Sequence, residues 1–145
     1  MIAIASDHGG FAMKQDLIAH LQSRGVSLED LGCYSEDSVD YPAYAEKVCR
    51  GIVSGAYERG ILICSTGIGM SIAANKIPGI RASLCADCHS AQMTREHNDS
   101  NVLCLGGRTL GTDLAKRIVD IYLSARFSGV EKHVRRISMI KGLEK

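Results

Sequence analysis

The chain contains no tryptophan, only two prolines and almost no net charge, with a formal charge of +1 over 145 residues. This balance of charge excludes a bulk attraction to nucleic acid or to an acidic membrane surface, so we expect neither partner. No low-complexity stretch or linker divides the chain. Its length and its 46% hydrophobic content suit one domain over residues 1–145.

The chain also lacks a long apolar run. No stretch approaches the roughly 20 residues that a membrane-spanning helix needs, and Asp7 comes too early for a signal peptide. We therefore expect the six cysteines to be reduced thiols in a cytoplasmic protein.

Several cofactor motifs are incomplete. Cys85 to His89 match the haem-attachment pattern, which requires export from the cytoplasm. The run that begins at Gly67 lacks the third glycine of a dinucleotide fingerprint. A cysteine-phosphatase loop starting at Cys64 would need arginine where Met70 stands, and no cysteine and histidine set has zinc spacing. The sequence predicts no metal and no cofactor.

Short apolar runs alternate with helical patterns along the whole chain. We predict strands over 2–5, 26–31, 61–64, 81–85 and 102–105. We predict helices over 11–23, 41–54, 70–76, 90–97, 112–125 and 131–143, the helix over 112–125 with an apolar stripe of Leu114, Ile118, Ile121 and Tyr122. This alternation predicts an α/β fold whose parallel sheet is covered on both faces.

Cys64 ends one apolar run and is followed by a loop of small residues, Ser65 to Gly69. The carboxyl ends of parallel strands are where ligands bind. Loop N–H groups and a following helix start can bind an anion there. A thiol beside such donors can act as base or nucleophile, and the alternative is a free cysteine packed at a strand end.

Two further segments follow predicted strands. Asp7-His8-Gly9-Gly10 should lie at the same sheet edge as Cys64, either to contact an anion or to cap the next helix. Arg108 follows Gly106-Gly107 at another strand end, where it contacts a ligand or is an ordinary surface arginine.

Two polar segments lie elsewhere. His97 and Asn98, just before the fifth strand, could reach a sugar oxygen or form a solvated helix end. Lys132 and Arg136 are spaced i, i+4, so they share one helix face that suits a phosphate or is simply solvated.

Together these segments resemble the type B ribose-5-phosphate isomerases, in a family that also holds galactose-6-phosphate and allose-6-phosphate isomerases. The likeness covers essentially the whole chain. The matching stretches are 6–11, 40–42, 63–69, 71–76, 95–99 and 106–108.

The resemblance implies a Rossmann-like three-layer α/β/α sandwich with a five-stranded parallel sheet. It implies a cofactor-free enzyme of the pentose phosphate pathway that interconverts ribose 5-phosphate and ribulose 5-phosphate through an enediolate. The alternatives are a hexose 6-phosphate isomerase or a sugar-phosphate-binding subunit without chemistry. It further implies a homodimer or tetramer, with active sites between subunits and the helix over about 131–143 at the interface.

The family's roles are implied for particular residues here. Cys64 corresponds to the base, Thr66 to a hydroxyl beside the reacting carbons, and His97 to the acid that opens the sugar ring. The loop that holds the enediolate oxygens corresponds to Ser65, Gly67, Ile68 and Gly69. Sugar contacts correspond to Asp7, Tyr41 and Asn98, and the phosphate end corresponds to His8, Arg108, Lys132 and Arg136.

Three positions are informative within the family pattern. Ser65 stands where the family usually has glycine, and Lys132 where it usually has arginine, which alone can make a planar bidentate contact. Some members use a glutamate in the loop instead of the cysteine. Met70 occupies that place, so this chain belongs with the cysteine users.

Overall fold

The central sheet contains five strands that all pair in parallel. In the computed structural model, which describes residues 1–144, the strands are β1 (Ile2–Ser6), β2 (Leu28–Asp30), β3 (Gly60–Cys64), β4 (Ala82–Leu84) and β5 (Val102–Gly106). Their order across the sheet is β2-β1-β3-β5-β4, and each neighbouring pair is parallel. The predicted five-stranded parallel sheet is confirmed.

Helices cover both faces of this sheet. They are α1 (Phe11–Ser23), α2 (Tyr41–Val53), α3 (Ile68–Ala74), α4 (Cys88–Asn98), α5 (Thr112–Ser124) and α6 (Glu131–Lys141), with a 3-10 turn over His8–Gly10. Residues of α1, α4 and α5 pack on one face, and residues of α2 and α3 on the other. The three-layer sandwich is confirmed. None of these helices within residues 1–144 is long and apolar enough to cross a membrane.

Alternation along the strands builds the two cores. In β3, Ile61 and Ile63 belong to the core under α1 and α5. Leu62 and Cys64 belong to the core under α2 and α3. Each fully buried aliphatic side chain of this kind contributes roughly 1.5–3 kcal/mol, so a continuous apolar run is favoured in a strand buried on both faces.

Two helices begin earlier than the sequence predicts, because the conformation of the N-cap residue decides where each first turn starts. α3 begins at Ile68 rather than at residue 70, with Gly67 as its N-cap. α4 begins at Cys88 rather than at residue 90, because the side chain of Asp87 accepts a hydrogen bond from the N–H of Ser90 at 2.7 Å.

The predicted stripe of the helix over 112–125 was wrong in one position. Leu114 is exposed, and the inward face of α5 instead comprises Ala115, Ile118, Val119 and Tyr122. Elsewhere the strand predicted over 26–31 shortens to β2, and the last helix ends at Lys141 rather than at residue 143.

Helix α6 differs from the others because none of its residues is buried. It packs against α4, and its apolar residues remain largely on the surface, together with those just outside it. These are Val130, Val134, Met139, Ile140 and Leu143. The helix therefore presents an unpaired apolar face.

The connections diverge at the middle of the sheet. From β1 the chain moves outward to β2, and from β3 it moves in the opposite direction towards β4. The segments that follow β1 and β3 therefore flank a crevice at the carboxyl edge of the sheet, which is where open α/β sheets bind ligands.

The turn from β3 into α3 depends on glycine at position 67. Gly67 has φ +77°, and a Cβ atom there would lie 2.6 Å from Leu84 Cδ1 and 2.8 Å from the carbonyl carbon of Leu105. Gly25 has a similar φ of +74° with no atom near its would-be Cβ. An alanine would therefore strain the backbone to a similar degree at both positions, but its Cβ atom would be crowded only at residue 67.

We expect Gly67→Ala to lower the free energy of unfolding clearly more than Gly25→Ala. The left-handed conformation costs about 1–2 kcal/mol at either site, and overpacking adds about 1–3 kcal/mol at residue 67. Urea unfolding of both variants measures the difference. Equal losses in the two variants would contradict the crowding that the structure shows around Gly67.

Candidate active site

Three loops meet at the carboxyl edge beside β1, β3 and β5. A Cβ atom on Gly9 would collide with the side chain of Ser65, and one on Gly107 would lie 2.8 Å from the carbonyl oxygen of Gly9. The Gly107 N–H donates to the carbonyl of Cys64 at 2.8 Å, and the Arg108 N–H to the carbonyl of Ser65 at 2.9 Å. The predicted meeting of these segments is confirmed.

The thiol of Cys64 is buried and accepts a hydrogen bond. Its Sγ lies 3.1 Å from the backbone nitrogen of Gly67, whose N–H points towards the sulfur. Such a donor stabilises negative charge on sulfur. Among the thiols of residues 1–144, all of them free, Cys64 alone accepts a hydrogen bond from a backbone N–H.

Burial favours the protonated form of three other cysteines. Burial raises the pKa of Cys49 to about 12 and that of Cys85 to about 11, in Cys85 with a smaller contribution from the charge of Asp87. Burial also raises the pKa of Cys104 well above its usual range. These thiols pack in the core and are poor bases at neutral pH.

The loop after Cys64 holds its shape through its own backbone. The Ile68 N–H donates to Thr66 Oγ1 at 3.2 Å, and the Thr66 side chain is exposed. Gly69 lies against the ring of Tyr41, because a Cβ atom on Gly69 would be 2.7 Å from Tyr41 Cζ. Tyr41 therefore borders the same crevice as the loop.

The loop after β1 contributes a buried carboxylate and a half-buried imidazole. Asp7 Oδ1 accepts the N–H of Gly10 at 3.0 Å, so this aspartate caps the 3-10 turn over His8–Gly10, whereas the N-cap of α1 itself is Gly10. His8 Nδ1 accepts the N–H of Val39 at 3.2 Å. Both side chains are fixed by backbone donors at the crevice.

His97 and Asn98 lie at the opposite edge of the sheet. They end α4, immediately before β5, whose first residue Val102 pairs with Gly60 at the start of β3. The four residue steps from Gly60 to Cys64 correspond to about 13 Å along the strand. The structure therefore does not bring His97 or Asn98 to Cys64 within one chain.

Lys132 and Arg136 lie near His97 rather than near His8 or Arg108. Both belong to α6, where the ring of His133 stacks on that of His97 with centroids 4.2 Å apart and planes 10° apart. Desolvation, followed by the charges of His97, Lys132 and Arg136, lowers the pKa of His133. Lys132, Arg136 and the two stacked histidines therefore form one cluster at the amino edge.

Sequence reasoning did not assign a role to His133. Its only signal was its position between two basic residues that share a helix face. The stacked partner could not be inferred, because it depends on how α6 returns to α4, where the Ser128 N–H donates to the carbonyl of Glu96 at 3.0 Å.

The side chains of residues 1–144 offer no group of three or more His, Cys, Asp or Glu residues that could hold a metal ion. What the carboxyl edge does offer is a buried thiol, several backbone N–H groups and two polar side chains fixed at the mouth of a crevice. Such an arrangement suits proton transfer next to an oxygen that develops negative charge.

The comparisons with known proteins agree with this geometry. Residues 2–140 match the family described as Ribose/Galactose Isomerase. Ribose-5-phosphate isomerase B of Escherichia coli K12 is 48% identical over 143 residues, which cover 99% of this chain and 95% of that protein.

Solved structures show the same fold. Ribose-5-phosphate isomerase B of Clostridium thermocellum has a TM-score of 0.96 and 48% identity, covering 98% of this chain and 95% of the other. The Mycoplasma genitalium enzyme, solved with bound ribulose-5-phosphate, has a TM-score of 0.92 and 38% identity, covering 97% and 93% of the two chains. On a family match over nearly the whole chain and these full-length relatives, the chain belongs to the ribose/galactose isomerase family.

Proposed function

We propose that this chain interconverts ribose 5-phosphate and ribulose 5-phosphate, with Cys64 as the base. The observation that carries the proposal is the buried thiol of Cys64, which accepts the N–H of Gly67 in a loop at the carboxyl edge. The likeness to ribose-5-phosphate isomerase B over 99% of the chain supports the substrate.

The proposed reaction moves hydrogen within one molecule. The Cys64 thiolate removes the proton from C2 of the open-chain aldose, and the electron pair forms the enediolate double bond between C1 and C2. The thiol then returns a proton to C1, while one proton shifts from O2 to O1. Nothing is oxidised or reduced overall, so the reaction needs no redox group.

Backbone donors at the loop suit the charged intermediate. N–H groups of residues 65–69 that face the crevice can hold the enediolate oxygens, and Thr66 offers an exposed hydroxyl beside them. Preorganised donors of this kind stabilise developing negative charge by several kcal/mol in a site shielded from water. Asp7 and Tyr41 border the sugar, and His8 and Arg108 its phosphate end.

The remaining residues of the site come from a second copy of the chain in this proposal. His97, Asn98, Lys132 and Arg136 lie at the amino edge, about a strand length from Cys64. A symmetric pair of chains can bring the amino edge of each copy to the carboxyl edge of the other, because a two-fold interface uses the same surfaces twice.

Exposed apolar surface supports such pairing. Ile68 and Ile72 on α3 are at least half exposed beside the Cys64 loop, and α6 exposes its own apolar residues beside His97. Burying both apolar surfaces would offset the free-energy cost of association by about 25 cal/mol for each Å² of apolar area removed from water. We propose that residues 1–145 form one isomerase domain. We further propose that the chain assembles as a homodimer with α6 at its interface.

The six cysteines fit a reducing compartment. All six are free thiols, and no disulfide links the described residues. We therefore place the enzyme in the cytoplasm as part of the proposal.

Turnover of the purified protein with ribose 5-phosphate, ribulose 5-phosphate, allose 6-phosphate and galactose 6-phosphate tests the function. We expect the pentose phosphates to be preferred in kcat/KM. A preference for a hexose phosphate would support the alternative isomerase. Binding without turnover of any sugar phosphate would instead support a binding subunit.

We expect Cys64→Ser to lose kcat by on the order of 10²-fold or more, because a hydroxyl ionises far above neutral pH whereas a thiol does not. Sugar-phosphate binding should persist, since the loop backbone is unchanged. Steady-state kinetics measures the loss. Cys49→Ser is the matched control, since Cys49 is buried in the same core, and near-normal kcat in Cys64→Ser would refute the assigned base.

We expect Cys64→Ala and His97→Ala, each inactive alone, to regenerate activity when mixed. In a heterodimer one of the two sites contains the native Cys64 of one chain and the native His97 of the other. Random exchange of subunits makes about half of the dimers heterodimers, so we expect recovery of up to about a quarter of wild-type activity. Activity after verified exchange is the measurement. An exchanged but inactive mixture would argue that each site is built within one chain.

A further inference from the structure

We propose that Lys14, a cation enclosed by the fold, is a positioning residue that fixes His8 at the phosphate end of the site. The inference rests on the proposed function, because it takes His8 to face the phosphate. Lys14 lies on α1 and is fully buried, and no step of the proposed reaction uses it.

One segment of the chain, residues 30–39, supplies most of the groups that balance the charge of Lys14. Its Nζ lies 2.7 Å from Asp30 Oδ1 and 2.5 Å from the carbonyl oxygen of Cys33. The rings of Phe11 and Tyr34 lie 5.4 and 5.3 Å from it. A buried ammonium is tolerated only when charged and polar partners surround it, and three of these four groups belong to residues 30–34.

The same segment is bonded to the end of β1. Asp30 Oδ1 also accepts the N–H of Gly32 at 2.9 Å. The Ser6 N–H donates to the carbonyl of Gly32 at 2.7 Å, and the Cys33 N–H donates to the carbonyl of Ser6 at 2.8 Å. Lys14 therefore anchors the segment directly beside Asp7 and His8.

Val39, at the far end of the segment, binds the imidazole of His8. The Val39 N–H donates to His8 Nδ1 at 3.2 Å, so this nitrogen carries the lone pair and the ring proton sits on Nε2. An Nε2–H is a donor, as a phosphate oxygen requires. The segment that fixes this tautomer then leads into Tyr41, which borders the crevice.

Between its two ends the segment has little support of its own. Residues 34–38 are exposed, and in this stretch the backbone bonds do not reach the sheet. The Val39 N–H therefore lies between the anchor at residues 30–33, which Lys14 supports, and the start of α2 at Tyr41, so losing the anchor leaves it held from one side only. Removing the cation should release His8 without touching the Cys64 loop.

The test replaces Lys14 by methionine, which keeps the length of the side chain and removes the charge. Lys47→Met is the matched control, because Lys47 also donates to this segment, at the carbonyl of Leu31, but from an exposed position. Each variant is checked for a cooperative unfolding transition. Inorganic phosphate is the probe, measured by calorimetry and as a competitive inhibitor.

We expect Lys14→Met to weaken phosphate binding and raise KM by on the order of tenfold, with kcat within about threefold of wild type. The ¹⁵N spectrum of the His8 ring should change from the Nε2–H tautomer to a mixture. Lys47→Met should show neither change. In a His8→Ala background, Lys14→Met should weaken phosphate binding little further, because the two residues act as a unit.

A folded Lys14→Met with wild-type phosphate affinity and His8 tautomer would overturn the proposal, and so would full additivity with His8→Ala. The phosphate and tautomer readouts do not need turnover, so they decide the role of Lys14 even in a protein that proves inactive on sugar phosphates. That inactivity would count against the proposed function alone.

Should Lys14→Met fail to fold, Val39→Pro removes the one N–H that faces His8. Its control is Ser38→Pro, at a neighbouring N–H that has no partner among residues 1–144. Tautomer mixing and weaker phosphate binding in Val39→Pro but not in Ser38→Pro support the proposal. Unchanged binding in both variants overturns it.

Discussion

The parallel pairing of β1 with β3 is the constraint on which the rest of the site depends. Its register sets Ser6 against Ile63, so Asp7 and Cys64 leave the sheet side by side. The Asp7 N–H still donates to the carbonyl of Ile63 at 3.1 Å, which extends the ladder one step into the loops. A slip of one residue would turn the Cys64 side chain to the other face of the sheet and into the wrong core. The close contact of Gly9 with Ser65 follows from this register, and the pairing of Cys64 with Gly106 in β5 brings Gly107 to the same two loops.

The parallel direction of the strands keeps the two sets of polar residues apart. Every parallel strand begins at one edge and ends at the other, and α4 must run back across the whole sheet before β5 can start. A histidine at the end of α4 therefore cannot reach a cysteine at the end of β3 within one chain. Our proposal that both residues serve one reaction is compatible with this fold when the site is shared between copies, and it assigns the exposed apolar faces of α3 and α6 to the contact between them.

Much of this arrangement could be predicted from the sequence, and the failures have identifiable causes. The strands and the shared edge of Asp7 and Cys64 were predictable, because buried parallel strands are short apolar runs and their ends must coincide. The first turns of α3 and α4 were not, since capping by Gly67 and Asp87 decides them. Lys14 carries no local signal: its partners lie 16 and 19 residues away, and a lysine on a helix ordinarily reads as exposed. The contact of α6 with α4 is likewise a tertiary event that no periodicity in residues 131–143 encodes.

Position, rather than residue type, separates Cys64 from the other thiols. Cys49 and Cys104 are enclosed in the same core as Cys64, and burial raises the pKa of each, in Cys104 with smaller contributions from the neighbouring thiols. Cys64 is nearly as buried, but it is the last residue of its strand, and the next N–H groups are free to turn towards its sulfur because they have left the ladder. The Gly67 N–H faces the sulfur, and φ of +77° at Gly67 then turns the chain into α3, in a conformation that other residues adopt at a cost. A thiol two residues earlier in the strand would be surrounded by N–H groups that already donate to β1 and β5. The same chemical group is thus inert within the sheet and suited to proton transfer at its edge.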